Sequence, residues 1–157
     1  MADDDTDAGT LDERTENAAL SEALAAEHAA VWGYGVVGAA LDPTAQAAAV
    51  ASEVAHRDVR DQVVTLLAER GTEPVGAEGG YTLPFPVLSP IDAAALAVTL
   101  EDGVSAAWVR VLDQSVERST RELAVGVLTA TEGRAVSWRT AAGQSPTTSA
   151  FPGLPAT

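Results

Sequence analysis

The sequence predicts an all-α fold, a four-helix bundle in which one long crossover joins the second and third helices. Apolar residues recur at intervals of three and four along four segments, which is the spacing of one helix face. Residues that start or stop helices separate these segments. The connection over residues 71–89 is long enough to cross the bundle from end to end, which leaves the second and third helices parallel. The predicted helices span residues 11–41, 43–70, 90–113 and 118–142.

Capping residues are predicted at all four helix starts. They are Thr10 with Glu13 or alternatively Thr15 for the first helix, Asp42 with Pro43 for the second, Ser89 with Pro90 for the third, and Ser119 with Glu122 for the fourth. Gly71 is a usual residue for the left-handed position beyond a helix end, so it predicts where the second helix stops. Gly33, Gly35 and Gly38 weaken the first helix, and we expect them to allow close approach of a neighbouring helix.

The composition divides the chain into three parts. Residues 1–10 are rich in aspartate and lack periodicity, which predicts a disordered acidic tail. Residues 11–144 form the predicted bundle. Residues 145–157 are rich in proline and carry the apolar residues Phe151 and Leu154, which predicts an extended tail that docks on the bundle.

Charge and composition exclude several classes of function. The net charge is −14 and the chain has no lysine, so nucleic acid and anionic membrane surfaces would be repelled. Acidic residues interrupt every long apolar run, which argues against a membrane span. The acidic N-terminus is unlike a secretory signal, so a cytoplasmic location is expected. Without cysteine, only His, Asp and Glu remain as strong metal ligands. These observations leave open whether the chain forms a homodimer.

The first predicted helix carries a carboxylate inside its apolar stripe. Leu24, Glu27 and Val31 lie on one helix face, so Glu27 points where an apolar side chain is expected. An ionised carboxylate out of water needs a cation, a proton or a hydrogen-bonding partner. Tyr34 lies on the same stripe, and we expect its hydroxyl to need a buried partner. His28 is about 100° further round the helix than Glu27, which favours packing at a helix interface.

Three further glutamates are predicted at about the height of Glu27 in the bundle. With a rise of ~1.5 Å per residue, their heights agree to about one helical turn. They are Glu53 in the second helix, Glu101 in the third and Glu132 in the fourth. Two like charges ~6 Å apart repel by ~3 kcal/mol at an effective dielectric near 20. A metal, a proton or arginine must therefore compensate them. The arginines at usable spacing are Arg57, Arg60, Arg134 and Arg139.

This pattern resembles the ferritin-like di-iron superfamily, in which helices one and three each give a Glu and helices two and four each give Glu-x-x-His. Glu27 matches the first position, and Glu101 matches the third. The motif of the second helix is matched by Glu53-Val-Ala-His56. The fourth helix departs from the pattern, because Glu132-Gly-Arg-Ala135 has alanine where the second histidine belongs.

The segments AAEHAAVWGYGVVGAA, YTLPFPV, WRTA and FPGLP also resemble a family of small ferritin-like proteins of unknown function from high-GC bacteria. This second resemblance implies the fold but no established activity, whereas the resemblance to the di-iron superfamily implies iron or manganese as the metal. The metal-ligand candidates that it implies are Glu27, Glu53, His56, Glu101 and Glu132.

Two hypotheses for the function follow. The first is a non-catalytic helical bundle with a degenerate carboxylate site, used as an interaction or scaffold module. The alternative is a metal-binding oxidoreductase or metal-handling protein. The missing histidine in the fourth helix favours the first hypothesis, and the sequence predicts no catalytic residue.

Overall fold

A computed structural model describes the backbone of residues 4–154 and the side chains of residues 12–154. It contains four α-helices, α1 (Asp4–Ala40), α2 (Pro43–Glu69), α3 (Pro90–Gln114) and α4 (Arg118–Ala141). A long connection joins α2 to α3, and within the described residues there is no β-strand. These findings confirm the predicted all-α four-helix bundle with one long crossover. Residues 1–3 of the predicted acidic tail and residues 155–157 of the predicted Pro-rich tail lie outside the described residues.

The bounds of α2, α3 and α4 agree with the prediction to within a residue, whereas the predicted start of α1 is wrong. This helix begins at Asp4, so Thr10, Glu13 and Thr15 lie inside it and none of them is its cap. Acidic residues are favourable near a helix N-terminus because the helix dipole is positive there, so the acidic stretch extends the helix instead of ending it.

Two of the predicted caps form. The carboxylate of Asp42 accepts hydrogen bonds from the backbone N–H groups of Thr44 (2.9 Å) and Ala45 (3.0 Å) at the start of α2. The hydroxyl of Ser89 accepts one from the N–H of Asp92 (3.1 Å) at the start of α3. Gly71 has a φ of 68°, so the chain leaves α2 through the left-handed conformation that glycine favours.

The predicted capping box of α4 is wrong, because a residue from α1 takes its place. Glu122 pairs with Arg118 instead of closing the helix start (2.8 Å), and no side chain of α4 caps it locally. The buried carboxylate of Glu16 instead accepts hydrogen bonds from the backbone N–H groups of Val116 (2.6 Å) and Glu117 (2.9 Å). It also accepts hydrogen bonds from Oγ1 of Thr120 (2.5 Å) and from Nη1 of Arg70 (2.7 Å). The start of α4 is thus held by α1.

The contacts of α1 set the direction of the other helices. As the residue number rises along α1, the residue numbers of its contact partners fall in α2, and they also fall in α3. The pairs to α2 are Glu16 with Arg70, Glu27 with His56 and Gly38 with Ala49, and the pairs to α3 and its C-cap region are Glu16 with Val116, Glu27 with Trp108 and Tyr34 with Glu101. Both helices are therefore antiparallel to α1 and parallel to each other, as the long crossover requires.

The crossover runs along α1. Thr72 contacts Asn17 (3.1 Å), and the carbonyl of Val75 accepts from Nε2 of His28 (3.0 Å). Further along, Tyr81 packs on Trp32 with ring centroids 5.6 Å apart. The predicted role of His28 at a helix interface is therefore corrected to a contact with the crossover.

The bundle is closed on three sides and open on the fourth. Among the described residues, α1 packs on α2 and α3, and α3 packs on α4, whereas the backbones of α2 and α4 do not approach each other as closely. An added Cβ at Gly33 would lie 2.6 Å from Leu100 Cδ1 on α3, so this glycine has the predicted role, whereas one at Gly35 would meet no atom within 4 Å. None of the described helices is both long and apolar enough to span a membrane.

The contact between Glu16 and the start of α4 predicts how a substitution of Glu16 changes stability. Burial raises the pKa of this carboxyl, but the hydrogen bonds from Thr120, Glu117 and Arg70 outweigh burial and hold the pKa below its usual range. Glu16→Gln should lower the free energy of unfolding at pH 7 by about 2 kcal/mol, because it removes a charged acceptor from buried donors. A group with a lowered folded pKa stabilises above its unfolded pKa of about 4.3, and that contribution is lost as pH falls through the folded pKa.

Urea denaturation of the wild type and the variant at pH 7 and pH 3 measures this difference, which should shrink in acid. The control is Glu22→Gln, since Glu22 also lies on α1 and pairs with an arginine, Arg110, but both side chains are exposed. The control should change stability by less than about 1 kcal/mol. If both substitutions lowered the free energy of unfolding equally at pH 7, the proposed role of Glu16 at the start of α4 would be wrong.

Candidate functional site

Three of the predicted site residues meet in the core of the bundle. His56 lies between two carboxylates, with Nδ1 at 2.6 Å from Glu27 Oε2 and Nε2 at 3.3 Å from Glu101 Oε1. Glu27 and Glu101 are fully buried, and His56 is 1% exposed. The three residues come from α1, α2 and α3, so the imidazole joins three helices.

Each carboxylate also accepts a hydrogen bond from an aromatic side chain. The indole Nε1 of Trp108 donates to Glu27 Oε1 at 2.7 Å, and the hydroxyl of Tyr34 donates to Glu101 Oε1. Arg134 on α4 adds a charged donor, with Nε at 2.9 Å from the same oxygen of Glu101. We call this cluster the buried network, and its members are Glu27, Tyr34, His56, Glu101, Trp108 and Arg134.

The sequence places the two carboxylates by a simple repeat. Glu27 and Tyr34 are seven residues apart on α1, and Glu101 and Trp108 are seven residues apart on α3. Seven residues are about two helical turns, so each pair lies on one helix face. Because α1 and α3 are antiparallel, each glutamate lies opposite the aromatic residue of the other helix.

Charge compensation within the network is reflected in three pKa values. Burial lowers the pKa of His56, but the hydrogen bonds and charges of Glu101 and Glu27 outweigh burial, so the pKa is raised. Burial raises the pKa of Glu101, but contacts with His56 and Arg134 outweigh it, so the pKa is lowered. Burial and the charge of Glu101 raise the pKa of Tyr34, which stays protonated and donates its hydroxyl. With His56 protonated, two carboxylates face two cations.

Two predicted site residues lie outside the buried network. Glu53 is partly exposed, and its Oε1 accepts from Nη2 of Arg57 at 2.5 Å. Glu132 accepts from Oγ of Ser105 at 2.8 Å and from Nη1 of Arg139 at 3.5 Å. The prediction placed these residues at the same height in the bundle as the network, but their side chains point in a different direction round the helix. Three residues of an α-helix turn by about 300°, so Glu53 points about 60° away from His56.

The nitrogen and oxygen atoms of the network, in this arrangement, do not fit a metal ion as ligands. Both ring nitrogens of His56 already lie against carboxylates, and Arg134 binds the oxygen of Glu101 that also contacts His56. Over residues 12–154, no group of three or more His, Cys, Asp or Glu side chains has an arrangement that could hold a metal ion. The ligand roles of the predicted residues, with iron or manganese as the metal, stay a prediction.

One polar atom in the network is without a partner. Oε1 of Glu101 accepts three hydrogen bonds, whereas Oε2 is buried and has no hydrogen-bond partner among the described residues. Buried polar atoms without partners are uncommon and unfavourable. Glu101 thus keeps the capacity to accept a further hydrogen bond.

Two features of the polar core were not predicted from the sequence. One is the role of Trp108 as a donor to Glu27, for which the only signal is its seven-residue spacing to Glu101 on the same face of α3. Glu16 gave no signal, since its partners lie about a hundred positions further along the chain.

The raised pKa of His56 predicts how stability varies with pH. Its contribution is fully present below the unfolded pKa of about 6.5, and it is lost as pH rises through the higher folded pKa. The free energy of unfolding should therefore fall as pH rises above neutrality, and His56→Gln should flatten that slope. Urea denaturation between pH 5.5 and pH 9 measures it. His28→Gln is the matched control, since His28 is outside the network and should leave the slope unchanged. The same slope in the wild type and in His56→Gln would contradict the role of His56.

Comparison with known proteins gives this architecture a family. Residues 19–156 match the DUF4439 family, which is described as a domain of unknown function. A search of curated proteins found no match. The crystal structure of a conserved hypothetical protein, Rv2844, from Mycobacterium tuberculosis is similar to this chain, with a TM-score of 0.79 and 37% sequence identity. The match covers 81% of this chain and 96% of that one. The match over most of its length shows that this chain belongs to the DUF4439 family.

Proposed function

We propose that this protein is a non-catalytic helical bundle that works as a binding module without a metal cofactor. The observation that carries the proposal is the pair of cationic side chains in the buried network. His56 contacts both carboxylates, and Arg134 contacts Glu101. The two side chains supply the positive charge that a metal ion would otherwise supply to Glu27 and Glu101.

The energetics of buried charge support this proposal. Uncompensated carboxylates so close together would repel each other, and burial in a low-dielectric core makes the repulsion stronger. A buried ion pair brings little net stability, but removing one partner is costly because the other charge is left buried. The network therefore has all the charge compensation it needs from the chain itself.

Accessibility also supports a non-catalytic role. A catalytic residue must touch its substrate, but Glu27, His56 and Glu101 are all buried. Arg134 is the charged member of the network with partial exposure, at 20% of its side chain. An arginine is fully charged at all ordinary pH values, so it can bind and orient a molecule but does not exchange protons with it.

Metal analysis tests the proposal most directly. Protein purified without chelator, and protein incubated with ferrous iron or manganese under anaerobic conditions, should contain far less than one metal ion per chain. The melting temperature should not rise on metal addition, because a ligand stabilises only the state that it binds. One or more ions per chain, lost in Glu101→Gln, would overturn the proposal and support the metal-binding alternative.

A second test separates the two hypotheses by stability. Arg134→Met should lower the free energy of unfolding by about 3–5 kcal/mol, because it leaves the buried carboxylate of Glu101 with one cation fewer. The double variant with Glu101→Gln should recover a large part of that loss, because the unpaired charge is gone.

Arg118→Met is the matched control. Arg118 is also on α4 and pairs with a glutamate, but its side chain is 86% exposed, so the substitution should change little. If the network were a metal site, Arg134→Met would raise the free energy of unfolding in the presence of manganese, since removing a competing cation would strengthen metal binding. Urea denaturation of all variants, with and without manganese, distinguishes these outcomes.

A further inference from the structure

The open side of the bundle contains a cavity. It lies between the first half of α2 and the second half of α4, with a volume of about 530 Å³. Small side chains form most of its walls, among them Ala48 and Ala51 on α2 and Ala130 and Gly133 on α4. Small residues usually let two helices pack closely, but the backbones of α2 and α4 stay apart here. The space is therefore left between two walls that are almost free of charge.

The inner wall of this cavity is formed by residues that contact the buried network. Arg134 lines the cavity and binds Glu101 through Nε. Trp138 lines it and packs on Tyr34, with ring centroids 6.1 Å apart. A molecule in the cavity would thus lie directly against the side chains that hold the network.

Arg134 gives the cavity a hydrogen-bond donor. It is the single charged residue among those that line the cavity. Its Nε binds Glu101 and its Nη2 binds Thr131 Oγ1 at 3.1 Å, whereas Nη1 has no hydrogen-bond partner in the described part of the chain. A guanidinium has five N–H donors, so several remain for a ligand. The neighbouring carboxylate of Glu101 also has the unpartnered atom Oε2.

Charge selects the class of ligand. Arg134 already forms an ion pair with the buried carboxylate of Glu101, so an anion in the cavity would lie close to that carboxylate and add a further negative charge beside it. The chain also has a net charge of −14, which repels anions at long range. A cation would lie against the guanidinium of Arg134. A neutral molecule avoids both costs.

We propose that the cavity binds a neutral amphiphile. Its apolar body lies along the small residues of α2 and α4, and its hydroxyl or primary amide end accepts a hydrogen bond from Arg134. Sites for small molecules are typically apolar cavities with a few polar groups that fix orientation, and this cavity has that composition. The inference rests on the proposed role as a binding module and adds the site and the class of ligand.

The experiment compares three probes with the same alkyl chain, 1-octanol, octanoate and octylammonium. Each is titrated into the full chain by isothermal calorimetry, with the intrinsic tryptophan fluorescence, to which Trp138 in the cavity wall contributes, as a second readout. The alcohol should bind at least ten times more tightly than either ion. Equal affinity for all three probes, or no binding of the alcohol, would overturn the proposal.

A matched pair of variants tests the location. An added Cβ at Gly133 or Gly126 would meet no atom within 4 Å, so both positions on α4 tolerate a larger side chain. Gly133→Leu fills the cavity and should weaken binding of 1-octanol at least tenfold. Gly126→Leu lies outside the cavity lining and should leave binding unchanged. Equal binding by both variants would place the ligand elsewhere and overturn the proposal.

Two further measurements complete the test. If light scattering shows a dimer that Gly133→Leu dissociates, a second copy covers the cavity and the ligand proposal is wrong. Metal analysis of the same samples keeps the two proposals apart. Stoichiometric iron or manganese would overturn the proposed function, whereas failure of 1-octanol to bind metal-free protein would overturn only the ligand assignment.

Discussion

One oxygen atom ties the four helices together. Oε1 of Glu101 on α3 accepts hydrogen bonds from Tyr34 on α1, His56 on α2 and Arg134 on α4. Much of the surrounding core is alanine and valine, whose small side chains allow helices to slide past one another with little cost. A hydrogen bond has a narrow range of length and angle, so the contacts of Glu101 fix how far each helix is shifted along its neighbours. The apolar core supplies the stability, and the buried network supplies the register.

The polar contacts divide the interior into layers. One apolar cluster lies around Leu24, Leu67 and Trp108, and a second lies around Tyr34 and Leu96. The buried network lies between them, and Glu16 with Arg70 forms another polar layer at the end where α4 begins. In each layer, charged groups have partners from the chain itself, which is the condition for burying them at all. The charged groups in the interior are thus compensated by side chains of the chain itself.

Local signals predicted most of the fold, and contacts across the bundle account for what they missed. Asp42 and Ser89 cap their own helices, so the bounds of α2 and α3 could be inferred from neighbouring residues alone. The residues directly before α4 are held by Glu16 on α1, which no pattern near residue 118 could indicate. For the site, helix spacing predicted that Glu27 and Glu101 lie inside the core and that Tyr34 needs a partner. Helix spacing gave the height of each residue along the bundle but not the direction of its side chain. Glu53 and Glu132 were therefore grouped with the network, although their hydrogen bonds go to other residues.

The contact between Glu16 and the start of α4 has a consequence for how the chain assembles. A helix is hardest to begin, because its first turn fixes several residues before it forms many hydrogen bonds. The backbone N–H groups of Val116 and Glu117, directly before α4, bond to Glu16 on α1, so the start of α4 is held in place only when α1 is already there. The last helix therefore depends on the first, through a contact between residues about 100 positions apart in the sequence. We expect folding to wait for this long-range contact, and partial unfolding that releases α1 to loosen α4 at the same time.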